Sequence, residues 1–143
     1  MKKLRVGLIG CGVISDIYLK ICQKFEILDV RACASLDFEE SKAKAEKYTI
    51  PSVCSPDEII HDPDIHCVLN LTIPAAHAEI SLAALNAGKH VYSEKPFATS
   101  VQDGKKILAL AESKGLYVGN APDTFLVGRM RLGGLPAQAL GSV

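Results

Sequence analysis

The chain has 143 residues, 48% of them apolar, and its 16 basic residues balance 16 acidic ones. That is one compact domain's worth of sequence with enough apolar content for a real core. Neither charge sign forms a long block and no apolar run is long enough to cross a bilayer, which argues against nucleic acid or a membrane as partner.

Leu4-Arg5-Val6-Gly7-Leu8-Ile9 is an apolar strand signal that runs into Gly10-Cys11-Gly12 and then into a helix pattern. A dinucleotide site opens this way. The chain must turn sharply at Gly10. Gly12, lacking a Cβ, lets the backbone approach a pyrophosphate, which the free N–H groups at the helix start around Val13 and Ile14 are placed to bind. Ser15 stands where the fingerprint prefers a third small residue. From Val13 to Phe25, Ile14, Ile17, Tyr18, Ile21, Cys22 and Phe25 repeat at three and four, which predicts one face of a helix.

Ile27 to Ser35 reads as a second strand, and Glu39 to Tyr48 as a charged surface helix leaning on the sheet through Ala43 and Ala45. A minor strand is expected around Pro51 to Val53. Ser55-Pro56-Asp57-Glu58 is a capping box with proline at the first helical position, opening a short helix that stops at His61-Asp62-Pro63-Asp64. Cys67 to Leu71 is nearly continuous in apolar character, as expected of a central parallel strand. The helix after it has Pro74 in its first turn and Gly88 past its end, with Ala76, Ile80, Ala83, Ala84 and Ala87 along one face. Lys89 to Tyr92 is a further strand. Thr99-Ser100-Val101-Gln102 reads as a second capping box, and its helix ends at Gly115 before a last strand, Leu116 to Val118.

Strand and helix alternate with short connections, which predicts a doubly wound, mostly parallel α/β sheet of the Rossmann type. Ligands in such sheets lie outside the carboxyl ends of the strands, so the candidate site residues follow each strand. The five cysteines are odd in number, lack Cys-x-x-Cys spacing and lie mostly in apolar patterns, so they read as buried thiols of a cytoplasmic protein. Met1-Lys2-Lys3 ahead of Leu8-Ile9-Gly10-Cys11 imitates a lipoprotein signal. The apolar stretch is too short for one and is interrupted by Arg5.

The strand-end segments resemble those of the glucose–fructose oxidoreductase, inositol dehydrogenase and rhizopine-catabolism family of nicotinamide-dependent oxidoreductases. The resemblance rests on Gly7 to Gly12, on Asn70-Leu71-Thr72-Ile73-Pro74-Ala75-Ala76-His77, on Ala87 to Pro96 with its Glu94-Lys95-Pro96, and on Gly119-Asn120-Ala121-Pro122-Asp123. It implies a cofactor, NAD or NADP, lying across Gly10, Gly12, Val13 and Ile14, then Ser35 and Asp37, then Thr72, Ile73, Pro74 and His77, then Glu94, Lys95, Pro96 and Pro122. It further implies that Lys95 is the catalytic residue, beside the hydroxyl on the substrate carbon that loses hydride. A cation there lowers the energy of a developing alkoxide, and a partly desolvated lysine exchanges a proton near neutral pH. Glu94 could hold that ammonium, and a cis Lys95-Pro96 bond would fix the loop. His77 is either a neighbour of the nicotinamide or a plain surface histidine. His61, His66 and His90 have no spacing for a metal, and none is expected.

Two departures from the family pattern matter. The position of the ribose-binding acid is Ser35, with Asp37 able to serve if its loop bends back. That leaves NAD and NADP both open, with a slight lean to NADP. The second is that the resemblance implies a substrate domain of comparable or greater size, on an open antiparallel sheet, after the first 126 residues. Residues 127–143 show no helical or strand period. They are expected to form an irregular tail, truncated or out of frame. The family's acid–base residues belong to that further domain. General acid–base help is typically worth a factor of about 10² to 10⁴ and positioning about 7–11 kcal/mol, so the chain alone is expected to bind without turnover. The expected partners are a nicotinamide dinucleotide, a small alcohol or sugar substrate in the full-length relative, and a second copy of the chain through the uncovered face. A non-catalytic dinucleotide-binding module is the other reading.

Overall fold

A computed structural model describes residues 2–121. The domain limit at 126, the tail 127–143 and Pro122 lie outside the described residues. The elements run β1 (Leu4–Ile9), α1 (Ser15–Cys22), β2 (Leu28–Ala34), α2 (Phe38–Tyr48), β3 (Ser52–Val53), α3 (Pro56–His61), β4 (Cys67–Asn70), α4 (Pro74–Asn86), β5 (His90–Ser93), α5 (Val101–Lys114) and β6 (Val118–Asn120). The strands form one sheet in the order β3-β2-β1-β4-β5-β6, and every pairing is parallel. Because all pairings are parallel, the carboxyl ends of the strands share one edge, and the reversal of order between β1 and β4 puts the switch point in its middle.

Two apolar layers cover the sheet. On one face Val6, Leu8, Cys33 and Leu69 pack with Leu19 of α1 and with Ala45 and Tyr48 of α2. On the other Ile9, Ala34, Val68 and Val91 pack with Ile59 and Ile60 of α3, Leu85 of α4 and Ile107 and Ala111 of α5. Gly7 lets α3 lie flat on β1, since a Cβ there would stand 2.4 Å from Cγ2 of Ile59.

Several helix faces differ from the sequence reading. The helix predicted over Val13 to Phe25 is α1, shorter at both ends, and it buries Ser15 and Leu19. Of the predicted apolar stripe, Ile17 is 54% exposed and Phe25 53%. The Gly10–Gly12 turn brings the small Ser15 down against the sheet; Leu19 follows four residues on, and the isoleucines are rotated outward. In α2 the buried positions are Ser41, Ala45 and Tyr48, and Ala43 faces solvent. In α4 they are His77, Ser81, Ala84 and Leu85, a face turned toward polar groups at the strand end. The cap of α5 is Ser100, which accepts the Asp103 amide at 3.0 Å, one residue later than expected. The last strand lies two residues later than expected, at Val118–Asn120. The capping box at Ser55 and Glu58 is present as read, and so is β3.

All five cysteines are free; Cys11 and Cys33 are buried and the other three are half-buried. Burial pushes the Cys67 thiol up to about 11. Among the described residues no helix is long and apolar enough to cross a membrane. Lys89 is buried, and its ammonium donates to the carbonyls of Asp62 and Ile65, the latter at 2.8 Å. It therefore ties the loop after α3 to the start of β5, at the edge opposite the candidate site.

Asp16 joins α1 to α2. Its carboxylate accepts from Lys44 Nζ at 2.5 Å, Tyr48 Oη at 2.5 Å and Lys47 Nζ at 2.9 Å. The Lys44 hydrogen bond first, then those of Tyr48 and Lys47, hold the carboxyl well below the usual carboxylate range. A carboxyl lowered by folding contributes stability above its unfolded pKa of about 4 and loses it as pH falls below that value. Asp16→Asn is therefore expected to flatten the decline of stability between about pH 4 and pH 2 relative to the parent chain. Urea midpoints measured across that range test this, and parallel slopes would refute it.

Candidate functional site

The turn after β1 is built around Gly10. Its φ is +104°, its amide donates to Ala34 O at 2.8 Å, and a Cβ there would stand 2.4 Å from the carbonyl oxygen of Leu71. Gly12 is different: a Cβ there would meet nothing within 4 Å. Space is left in front of the turn, as an approaching anion requires. Ser15 is fully buried, and its hydroxyl donates to Gly12 O at 2.6 Å, which closes the turn from beneath. The N-terminus of α1 carries no side-chain cap, and Val13 beside it is 91% exposed. The Ser15 and Asp16 amides donate to Gly12 O at 3.0 Å and Val13 O at 3.3 Å, and the turn ahead of them, over a glycine that tolerates close approach, forms a cradle suited to a phosphate.

At the end of β2 the Ser35 hydroxyl donates to Asp37 O at 2.7 Å and lies 3.0 Å from the Ser41 hydroxyl. Asp37 stands at the start of α2. Its carboxylate caps α2, accepting the amides of Glu39 at 2.9 Å and Glu40 at 3.3 Å. Helix capping thus engages Oδ1 of the carboxylate that the sequence reading offered to a ribose.

The ends of β4 and β5 are knitted by a buried polar cluster. Asn70 is fully buried; its amide nitrogen donates to His77 O at 3.0 Å and Ser81 Oγ at 3.1 Å, and its Oδ1 accepts from Thr72 Oγ1 at 2.7 Å. His77, expected either beside a nicotinamide or on the surface, is fully buried, with Nδ1 2.6 Å from Pro96 O and Nε2 2.7 Å from Thr72 O. Its place at the first turn of α4 puts the ring between two loops, where it braces both. Ile73 and Pro74 open α4 without a side-chain cap, and Ile73 is exposed.

The Lys95-Pro96 bond is cis, and both residues are exposed at this edge. Glu94 is anchored through its backbone, its amide donating to Asn70 O at 2.9 Å and its carbonyl accepting from Asn120 Nδ2 at 3.1 Å. Its carboxylate accepts a hydrogen bond from the Tyr18 hydroxyl. The described candidates after β1, β2, β4 and β5 therefore share one edge of the sheet. Asn70, Asn120 and Tyr18 were missed as site residues. The first two carry a signal, an amide closing an otherwise apolar strand, because a buried amide must find partners.

The family model described as an oxidoreductase family with an NAD-binding Rossmann fold matches residues 4–121. The chain belongs to this oxidoreductase family. It is 35% identical over 126 residues to an uncharacterized oxidoreductase, C115.03, of Schizosaccharomyces pombe, covering 82% of this chain and 33% of that one. It is 30% identical over 115 residues to inositol 2-dehydrogenase of Salmonella paratyphi B, covering 78% and 34%. Among solved structures it resembles KijD10, a 3-ketoreductase of Actinomadura kijaniata in complex with NADP and TDP-benzene. There the TM-score is 0.78 with 30% identity, over 83% of this chain and 37% of that one. The chain spans about a third of the length of these relatives.

In this chain the two turn glycines serve different ends. Gly10→Ala is expected to cost about 2–4 kcal/mol of stability, through a disfavoured φ and a backbone clash. Gly12→Ala should leave the melting temperature nearly unchanged while weakening NADPH and NADH binding at least about tenfold. Thermal melts and calorimetric titrations of both variants check this, and equal losses of stability would refute the distinction.

Proposed function

We propose that this chain is the dinucleotide-binding portion of an oxidoreductase that moves a hydride between NAD(P) and a sugar, polyol or related alcohol. The observation that carries the reading is the sharing of one sheet edge by the uncapped Gly10–Ser15 turn and the exposed Lys95. The nicotinamide, when bound, supplies the hydride-accepting carbon. The chain's residues bind and orient it: the turn around Gly10, Gly12, Val13 and Ile14 takes the pyrophosphate, Ser35 and Asp37 border the adenosine ribose, and Thr72, Ile73 and Pro74 border the far half. His77 fixes the Thr72 and Pro96 backbones from behind. Lys95 places its ammonium at the reacting oxygen, where it stabilises the alkoxide and exchanges its proton.

The lean to NADP rests on Ser35, a neutral hydroxyl where a carboxylate would repel the 2′-phosphate. Inactivity of the chain alone is supported by relatives about three times as long. Nicotinamide fluorescence titration is expected to show NADPH binding with a dissociation constant below about 100 μM, and Ser35→Asp should weaken NADPH relative to NADH by about tenfold. No turnover of NAD(P)+ is expected with a panel of polyols and sugars. Failure of both dinucleotides to bind would end the proposal, and turnover by the chain alone would end the claim of inactivity.

A second copy of the chain is the partner we propose for the uncovered apolar surface. Ile17, Ile21 and Phe25 of the α1 region are each about half exposed and near one another along one side, with Tyr92 of β5 exposed on the same face of the sheet. Exposed apolar side chains gathered on one face favour association. Sedimentation is expected to show dimers or larger species at about 100 μM, weakened by Ile17→Lys. A purely monomeric profile would contradict it.

A further inference from the structure

Tyr18 lies on α1, three residues after Ser15, and reaches across the sheet face to the loop after β5. Its hydroxyl donates to the Glu94 carboxylate, and its ring meets Tyr92 edge-on, with centroids 6.5 Å apart at 61°. Tyr92 in turn lies over Gly119 of β6, where a Cβ would come within 2.6 Å of its ring. The opposite side of the same loop is held by backbone bonds: Asn70 O accepts the Glu94 amide, Asn120 bonds Glu94 O, and His77 contacts Pro96 O. Among the hydrogen bonds described above, the one from Tyr18 ties the loop to the helix that starts at the glycine turn. A helix rises about 1.5 Å per residue, so the Ser15 and Tyr18 positions are about 4.5 Å apart along one rigid rod.

We propose that Tyr18 is a positioning residue: by holding Glu94 it sets the place of Lys95 relative to the Gly10–Gly12 turn, and so the distance between the pyrophosphate end and the reacting end of the site. The proposal rests on the dinucleotide reading above. A hydrogen bond to a charged acceptor is strong enough to help fix a loop end. Because the hydroxyl acts at the far end of the ligand, its loss should be felt by the nicotinamide half and not by the adenosine half.

Calorimetry on the 143-residue chain tests this by comparing NADPH with 2′-phospho-ADP-ribose, and NADH with ADP-ribose; the second of each pair lacks the nicotinamide. Tyr18→Phe keeps the ring packing, and is expected to weaken the complete dinucleotides about five- to tenfold while leaving the truncated ligands within about twofold. Glu94→Ala should reproduce that loss, and the double variant should be no weaker than either single one. Glu94→Gln, whose carbonyl still accepts the hydroxyl, should retain most of the affinity. Equal weakening of complete and truncated ligands, no effect of Tyr18→Phe, or additive losses in the double variant would each overturn the proposal. If the unaltered chain binds the truncated ligands and the dinucleotides not at all, or none of the four, the dinucleotide reading itself fails.

Discussion

The carbonyl oxygen of Leu71 lies so close to Gly10 that no side chain fits between them. This approach fixes how the end of β1 passes the end of β4, and much of the candidate site follows from it. Because the chain must turn at Gly10 with a positive φ, α1 starts low against the sheet, and only a residue as small as Ser15 can lie beneath its first turn. With Ser15 down, Leu19 enters the core and Tyr18 points along the sheet face toward β5. One steric contact in the middle of the sheet thereby orients a helix, its first turn and its link to the loop that carries Lys95.

The carboxyl edge is rigid for a second reason. Parallel strands end there with unpaired backbone groups, and in this chain side-chain amides and an imidazole take them up. Asn70, His77, Ser81, Ser93 and Asn120 are linked to one another or to neighbouring carbonyls, and among the described residues no buried side-chain nitrogen or oxygen lacks a partner. A satisfied polar cluster in a low-dielectric setting holds geometry better than an apolar one, because any displacement exposes an unpaired group. The loops of Thr72 and Pro96 share that rigidity through the buried His77 ring, which lies between their carbonyls and can donate its N–H to one of them.

The topology was readable because it depends on local signals that agree: apolar runs of strand length, a capping box at Ser55, glycine past helix ends and proline at helix starts. The position of the site was readable for the same reason, since a parallel sheet places ligands at its carboxyl edge. Helix orientation was not. In α1 the periodic isoleucines pointed to one buried face, yet the steric demand at Gly10 and Ser15 chose another, and such a demand depends on β4, more than fifty residues away. Side-chain duties at the site were also hidden. Whether Asp37 serves a ribose or an α2 cap turns on loop geometry, and whether His77 faces solvent or Pro96 depends on a contact nineteen residues distant. The tie between Tyr18 and Glu94 spans 76 positions and leaves no mark in either local pattern.

Among the described residues the two flanks of the sheet are brief: β3 contributes Ser52 and Val53, and β6 runs from Val118 to Asn120. A lateral strand offers its unused amides and carbonyls as a template for another chain, and the hazard grows with the length of that template. Two or three residues give an incoming strand little to grip. Ribbon-like aggregation from these flanks is therefore disfavoured by geometry. What the described part of the sheet presents laterally is therefore side chains more than backbone, the reverse of the stacked cross-β arrangement.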